Sequence, residues 1–248
     1  SEQVEEMGAL GFMGIMTSQL YGGSEMDTLS YVLALEEISK IDASAGVIMS
    51  AHNSLVLWAI ETYGTDIQKE KYLVPMAQGN NIGCFCLSEP EAGSDASMQQ
   101  TRAEEAGEYY ILNGVKNWIT NGGHADFQLV IAQTHPEKKH RGINAFIVEK
   151  QWEGVAIGPK EDKLGIRSSD THSISYTDVK VPKENRIGED GFGFKLAMQI
   201  LEGGRIGIAA QALGIAAGAY ELAAEYSTVR SAFGKPIADH QAIAFKLA

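Results

Sequence analysis

The sequence predicts a multidomain α+β protein. It has a helical N-terminal unit over residues 1–80, a central small β-barrel or sandwich over 81–183, and the first part of an incomplete C-terminal helical bundle over 184–248. Three observations carry this. The hydrophobic period is helical up to about residue 80, and gives way to short β-branched and aromatic runs divided by turn residues. It becomes helical again after Val181-Pro182, in a long Ala-rich run.

In the first zone, Ser24 followed by Asp27 reads as a capping box opening an amphipathic helix through Ile38. Residues 44–62 are apolar nearly all round, as in a helix enclosed by others. Thr65 and Gln68 form a second capping box, and the helix behind them is expected to stop near Gly79. In the middle zone the candidate strands are 82–88, 108–112, 115–120, 127–133, 143–148 and 173–179. Asn113-Gly114 is the strongest hairpin signal. The third zone is helical from about Gly193. Five glycines fall between 203 and 218, and glycine inside a helix costs about 1 kcal/mol against alanine, so they demand a packing or functional reason. Close approach of a second helix at Gly207, Gly214 and Gly218 supplies one. The amphipathic pattern is still running, uncapped, at Phe245–Ala248, which reads as an interrupted chain.

Composition excludes several classes. Of 248 residues, 44% are hydrophobic and 21% charged, a globular balance. A net charge of −12 opposes binding to nucleic acid or to anionic lipid. The most apolar stretch, Ile206 to Ala224, is broken by Gln211 and Glu221 and falls short of about 20 uninterrupted apolar residues, so a buried helix is expected rather than a membrane span. No N-terminal targeting pattern is visible. Cys84 and Cys86 would share one face of a strand as free thiols.

The common catalytic signatures are absent: no phosphate loop, no HExxH, no GxSxG, and Gly191-x-Gly193 lacks a third glycine. The six histidines do not fall at metal-ligand spacing. Two segments remain. Residues 84–95, Cys-Phe-Cys-Leu-Ser-Glu-Pro-Glu-Ala-Gly-Ser-Asp, run from a strand into a turn rich in hydroxyls and backbone N–H groups. That suits a flat heteroaromatic ring with a neighbouring phosphate, although turns more commonly hold these residue types in an ordinary solvated loop. Residues 113–123 place Trp118 and Thr120 on one face of a strand and Ile119 on the other. The indole then either walls a ring or fills a core.

Taken together and in order, Leu-Ser-Glu-Pro-x-x-Gly-Ser-Asp and Asn-Gly-x-Lys-x-Trp-Ile-Thr-Asn resemble the signature of acyl-CoA dehydrogenases. The resemblance continues through Lys163–Arg167, Val179–Pro182, Gly191–Lys195, Gly204–Gly214 and Arg230–Lys235, and so spans the chain. Within the family, residues 41–50 and Gly204-Arg-Ile-Gly-Ile are most similar to short-chain, butyryl-type members. The resemblance implies FAD as cofactor and oxidation of an acyl-CoA to the trans-2-enoyl-CoA, with electrons passed to an electron-transfer flavoprotein. It implies a homotetramer in the full-length parent and a location in the bacterial cytoplasm, or the mitochondrial matrix in a eukaryote. By position, Phe85, Leu87, Ser88, Gly93 and Ser94 would contact the flavin, with Ser94 also against the acyl-CoA. Trp118, Ile119 and Thr120 would line the other flank. Arg230, Phe233, His240 and Gln241 match positions that contact FAD held by a neighbouring subunit. Glu202, Gly203, Gly204 and Arg205 match a substrate-contacting helix start.

The chain departs from the family in two ways. Members carry the catalytic Glu in the C-terminal domain beyond the position of Ala248, and a subset places it one residue before the arginine matching Arg205, where this chain has Gly204. No catalytic residue is therefore expected among these 248, and the base is expected C-terminal to Ala248. The last two C-terminal helices and the start of the N-terminal domain are also expected to be missing. An acyl-CoA oxidase-type flavoenzyme, or an inactive fragment, stands as the alternative reading.

Overall fold

The computed structural model describes residues 2–248. The N-terminal part holds α1 (Glu2–Ala9), α2 (Thr28–Ile41) and a rod over Ala43–Tyr63. That rod is α3 (Ala43–Ser50), a π-helical stretch (Ala51–Leu57) and α4 (Trp58–Tyr63). A second composite helix follows: α5 (Asp66–Gln68), a π-helical turn (Lys69–Leu73) and α6 (Val74–Ala77). Asp42 caps α3 by accepting from Ser44 and Ala45 N–H. Thr65 and Gln68 form the expected reciprocal box, and the helix ends beside Gly79. The first expected box does not form. Asp27 is itself the N-cap, accepting from Ser30 N at 2.8 Å, while Ser24 Oγ donates to Gly11 O.

The strands are β1 (Gly83–Cys86), β2 (Arg102–Ala106), β3 (Tyr109–Thr120), β4 (Phe127–Gln133), β5 (Ile143–Glu149), β6 (Val155–Lys160), β7 (Thr171–Pro182) and β8 (Arg186–Ile187). They form one sheet ordered β6-β7-β3-β2-β4-β5-β8, with β1 added parallel to β4. The inward faces of six strands meet in a single core that includes Cys84, Cys86, Ala103, Leu112, Ile119, Val130, Phe146, Ile174 and Val179. A sheet reaches one core from so many strands only by curling round it. Cys84 and Cys86 are buried free thiols, as expected.

Asn113-Gly114 is not a hairpin turn. The chain reverses at Gly107-Glu108, between the paired Ala106 and Tyr109, with Gly107 at φ +61°. Residues 108–112 and 115–120 belong to one long strand, and the register opposite β7 shifts at Leu112/Gly114. The glycine there serves close packing: a Cβ at position 114 would lie 2.5 Å from Thr101 Oγ1. An Asn-Gly pair fits an irregularity inside a strand as well as a turn.

β4 and β5 alternate strictly. Val130, Ala132, Phe146 and Val148 enter the barrel core, whereas Leu129, Ile131, Ile143, Ala145 and Ile147 pack outward on the helices. That outer layer includes Leu57, Ile60, Leu73 and Met76, together with Leu196, Ala197 and Ile200 from α7 (Gly193–Val229). A hairpin of β9 (Ser231–Ala232) and β10 (Lys235–Pro236) and then α8 (Gln241–Leu247) complete the chain.

By length and hydropathy alone, Ala43–Tyr63 and Gly193–Val229 are each apolar enough to cross a membrane. The first is mostly buried in protein. The second packs on α2 through Gly207, Gly214 and Gly218, all buried, and Gln211 donates to Ala43 O. Its other side, with Ile206, Leu213, Leu222 and Val229, is an exposed apolar face.

Candidate functional site

The first wall of the site grows from β1. Because the strand alternates, Phe85 faces the helical layer while Cys84 and Cys86 turn into the barrel. Leu87 is buried, Ser88 half-buried, and Gly93 and Ser94 are exposed on the loop that follows. That loop is built tightly. Ser88 O accepts from Asn117 N–H at 2.8 Å, and Glu89 and Ala92 bridge each other.

Glu89 is buried and takes the N–H groups of Gln100 and Thr101 on its two oxygens. Lys116, on β3, is 0% exposed and pairs with Ile174 across the strand. Its ammonium donates to Glu89 Oε1 at 2.7 Å, to Leu87 O at 3.0 Å and to Gln99 Oε1. Burial pushes the Lys116 pKa down to about 8 against the pull of Glu89, so it is charged at neutral pH. Burial pushes the Glu89 carboxyl upward, but the Lys116 charge and the backbone donors outweigh it and leave it below the ordinary range.

The second wall is the end of β3. Between Lys116 and Ile119 the register against β7 slips, which places Asn117 and Trp118 in a bulge. Trp118 adopts φ +60°, a left-handed conformation costly for a bulky residue, and its side chain is 63% exposed. The indole is therefore not a core residue. Ile119 turns into the barrel core at 2% exposure, and Thr120 emerges half-buried on the Trp118 side, giving the expected alternation. Bulges of this kind re-aim side chains beside functional sites. Ser94 is exposed and Ser88 and Thr120 are half-buried, so none of the three is sealed in the core.

Thr120 also lines a cleft of about 340 Å³. The rest of its wall is Val47, Ser50 and Ala51, then Ser54 and Leu55 of the π-helical stretch, then Leu201, Gly204, Arg205 and Ile208 of α7. The cleft is mostly apolar, and among the described residues Arg205 is the one charged residue that lines it. No carboxylate lines it among the described residues. Glu202 is exposed and outside the lining, and Gly203 is half-buried with no neighbour that a Cβ would meet. Of the four expected substrate-contacting residues on α7, only Gly204 and Arg205 line the cleft.

Arg230, Phe233, His240 and Gln241 gather elsewhere, at the far end of α7. Arg230 is the C-cap of the helix. Phe233 sits at φ +53° in the tip of the β9–β10 hairpin and is 97% exposed. His240 packs edge-on against Phe233 and donates from Nε2 to Ala232 O at 3.0 Å, and Gln241 opens α8.

Three features escaped the sequence reading. The Lys116–Glu89–Gln99 network had one visible signal, a lysine in the middle of a strand. The π-helical stretch that presents Ser54 and Leu55 to the cleft had none. His52, in that stretch, is fully buried and joins the helical layer to the sheet: Gly83 N–H donates to Nδ1 at 3.1 Å, so Nε2 carries the proton donated to Met76 O at 3.0 Å. Burial lowers its pKa to about 4 and keeps it neutral.

The class defined by this architecture is set by comparison with known families. The acyl-CoA dehydrogenase N-terminal, middle and C-terminal domains match residues 1–80, 84–179 and 191–248. The chain belongs to the acyl-CoA dehydrogenase family. Among its relatives is a short-chain specific acyl-CoA dehydrogenase of Clostridium acetobutylicum, 50% identical over 100% of this chain and 65% of that protein. The mitochondrial short-chain specific enzyme of Mus musculus is 48% identical over 99% of this chain and 60% of its own length. Butyryl-CoA dehydrogenase from Megasphaera elsdenii superposes with a TM-score of 0.96 at 50% identity, covering 100% of this chain and 66% of that one. A chain in a structure of the electron transferring flavoprotein of Acidaminococcus fermentans, concerned with flavin-based electron bifurcation, superposes at 0.97 with 49% identity, covering 98% and 64%. This chain thus spans a little under two thirds of the length of these relatives.

Proposed function

We propose that the full-length parent is an FAD-dependent dehydrogenase that converts a short-chain acyl-CoA to the trans-2-enoyl-CoA and hands the electrons to an electron-transfer flavoprotein. The observation that carries this reading is Thr120. It stands two residues from the exposed, bulge-borne indole of Trp118 and in the wall of an apolar cleft between α3 and α7. A flat ring against Trp118 and an acyl chain in the cleft would meet at its hydroxyl.

When bound, the flavin supplies a hydride acceptor for the β-carbon. Phe85, Leu87, Ser88, Gly93, Ser94, Trp118 and Thr120 would hold and orient it, with the hydroxyls as hydrogen-bond partners for its polar edge, while Ile119, whose side chain is buried in the barrel core, could offer only its backbone. The cleft keeps water from the acyl chain. The α-proton needs a base that the cleft lining lacks, and we assign that role to a carboxylate C-terminal to Ala248 in the parent. Helices from the same region would cover the apolar face of α7, giving three units divided near residues 80 and 183.

Arg230 lies 26 residues along α7 from Gly204, about 39 Å at 1.5 Å per residue. It serves the same kind of site on another copy of the chain, where its guanidinium fork fits a pyrophosphate. Phe233, His240 and Gln241 accompany it, and the parent is a homotetramer. Its compartment follows the cell: the cytoplasm of a bacterium, or the mitochondrial matrix.

The test is purification of the full-length parent. A yellow protein that reduces a dye acceptor with butyryl-CoA, and needs an electron-transfer flavoprotein rather than oxygen, is expected. A colourless protein that refuses added FAD overturns the reading, and oxygen consumption would make it an oxidase.

A further inference from the structure

The loop carrying Ser88 and Ser94 is closed at its base by a lysine from the opposite wall. Lys116 has three ammonium protons, and three acceptors receive them: Leu87 O and Glu89 Oε1 where the loop leaves β1, and Gln99 Oε1 where it returns. Glu89 binds the N–H groups of Gln100 and Thr101 on the returning side, and Gln99 Nε2 donates to Leu87 O. One residue after Lys116, Asn117 N–H holds Ser88 O; the next residue is Trp118.

We propose that Lys116 is a positioning residue, clasping the 88–98 loop to β3 so that the Ser88 and Ser94 hydroxyls and the Trp118 ring meet a ligand as one preformed surface. A buried ion pair is by itself weak evidence of a stabilising role, since apolar replacements are often as stable. What apolar side chains of the same volume cannot do is bind a carbonyl on one end of the loop and an amide on the other. The clasp acts on ligand binding, and it rests on the reading of this site as one for FAD and acyl-CoA.

The experiment uses the full-length, FAD-loaded parent and removes both charges together, Lys116→Met with Glu89→Gln, so that no lone charge stays buried. The expected result is a folded protein with a lowered melting temperature, because the amide that replaces the Glu89 carboxylate can accept only one of the Gln100 and Thr101 N–H groups. The FAD dissociation constant and the KM for butyryl-CoA should each rise about tenfold, as expected when a preorganised loop must be ordered on binding. The kcat with saturating FAD and substrate should fall much less. Gln99→Leu, which leaves the ion pair and the hold of Glu89 on the Gln100 and Thr101 N–H groups intact and removes only the Gln99 links to Lys116 and Leu87 O, should give a smaller change of the same kind, and it decides the matter should the double variant not fold. Folded variants with unchanged FAD affinity and KM overturn the clasp. A wild-type parent that binds no FAD instead overturns the reading on which it rests.

Discussion

At the scale of single residues, burial and hydrogen bonding set the chemistry more firmly than residue type does. His52 and Lys116 are both buried bases with lowered pKa values. Lys116 stays charged at neutral pH because the Glu89 carboxylate opposes the effect of its burial, and His52 stays neutral because it is fully buried without a carboxylate partner. His52 therefore links folding to acid. Its folded pKa of about 4 lies below the ordinary 6.5, so the unfolded chain binds the extra proton between those values. The stability it contributes is complete above about pH 6.5 and is lost as pH falls towards 4. Urea unfolding should show about 2–3 kcal/mol of pH dependence between pH 7.5 and 4.5 that His52→Gln removes, whatever it does to stability at neutral pH. Equal slopes for the two proteins would dismiss this assignment. The apolar run 44–62 marked the helix carrying His52 as enclosed, but nothing in the sequence named Gly83 and Met76 as its partners. Trp118 and Thr120 were legible as a pair because strand alternation is local, but the left-handed backbone that exposes the indole comes from a register slip against β7.

At the scale of elements, legibility follows the range of the interactions that set each boundary. The Thr65–Gln68 box was readable because all its groups lie within four residues. β2, Arg-Ala-Glu-Glu-Ala, was not: only Ala103 is buried, so no alternation of apolar residues marks the strand. β6 was missed for the same reason, as it is an edge strand held by β7 alone. Asn113-Gly114 misled because the reversal belongs to the plainer Gly107-Glu108. The box also does more than start a helix. Gln68, 3% exposed, donates its amide to Glu184 O and Arg186 O, tying α5 to the segment that leads into α7. Thr65→Ala should cost about 1 kcal/mol, an ordinary cap loss. Gln68→Ala should cost about 2 kcal/mol or more, because two carbonyls also lose a buried donor. Denaturation midpoints of the two variants measure the order, and a Thr65 effect as large as that of Gln68 would show the tie to be without consequence.

At the scale of the whole molecule, α7 joins the parts. Its first turns, with Leu196, Ala197 and Ile200, pack on the outer face of β4 and β5, and its middle lies on α2. The cleft opens between these two contacts, at Gly204, Arg205 and Ile208. The glycines expected to admit a second helix do so: a Cβ at Gly214 would stand 2.3 Å from Glu36 O, and one at Gly218 2.3 Å from Lys40 O. Gly203, in the same helix, has nothing within 4 Å of its Cβ position. The same substitution should therefore act with opposite signs at two sites eleven residues apart. Gly203→Ala gains the helix propensity of alanine, up to about 1 kcal/mol, against no clash. Gly214→Ala gains the same propensity but presses a methyl group onto a backbone carbonyl that cannot rotate away, and overpacking of this sort costs about 1–3 kcal/mol. Thermal unfolding of the full-length parent should rise for Gly203→Ala and fall for Gly214→Ala. Because α7 supplies one wall of the cleft, a displaced α7 should, on the proposed function, also raise the KM for butyryl-CoA in the latter. Two changes of the same sign would mean that these glycines are not what lets the helices approach.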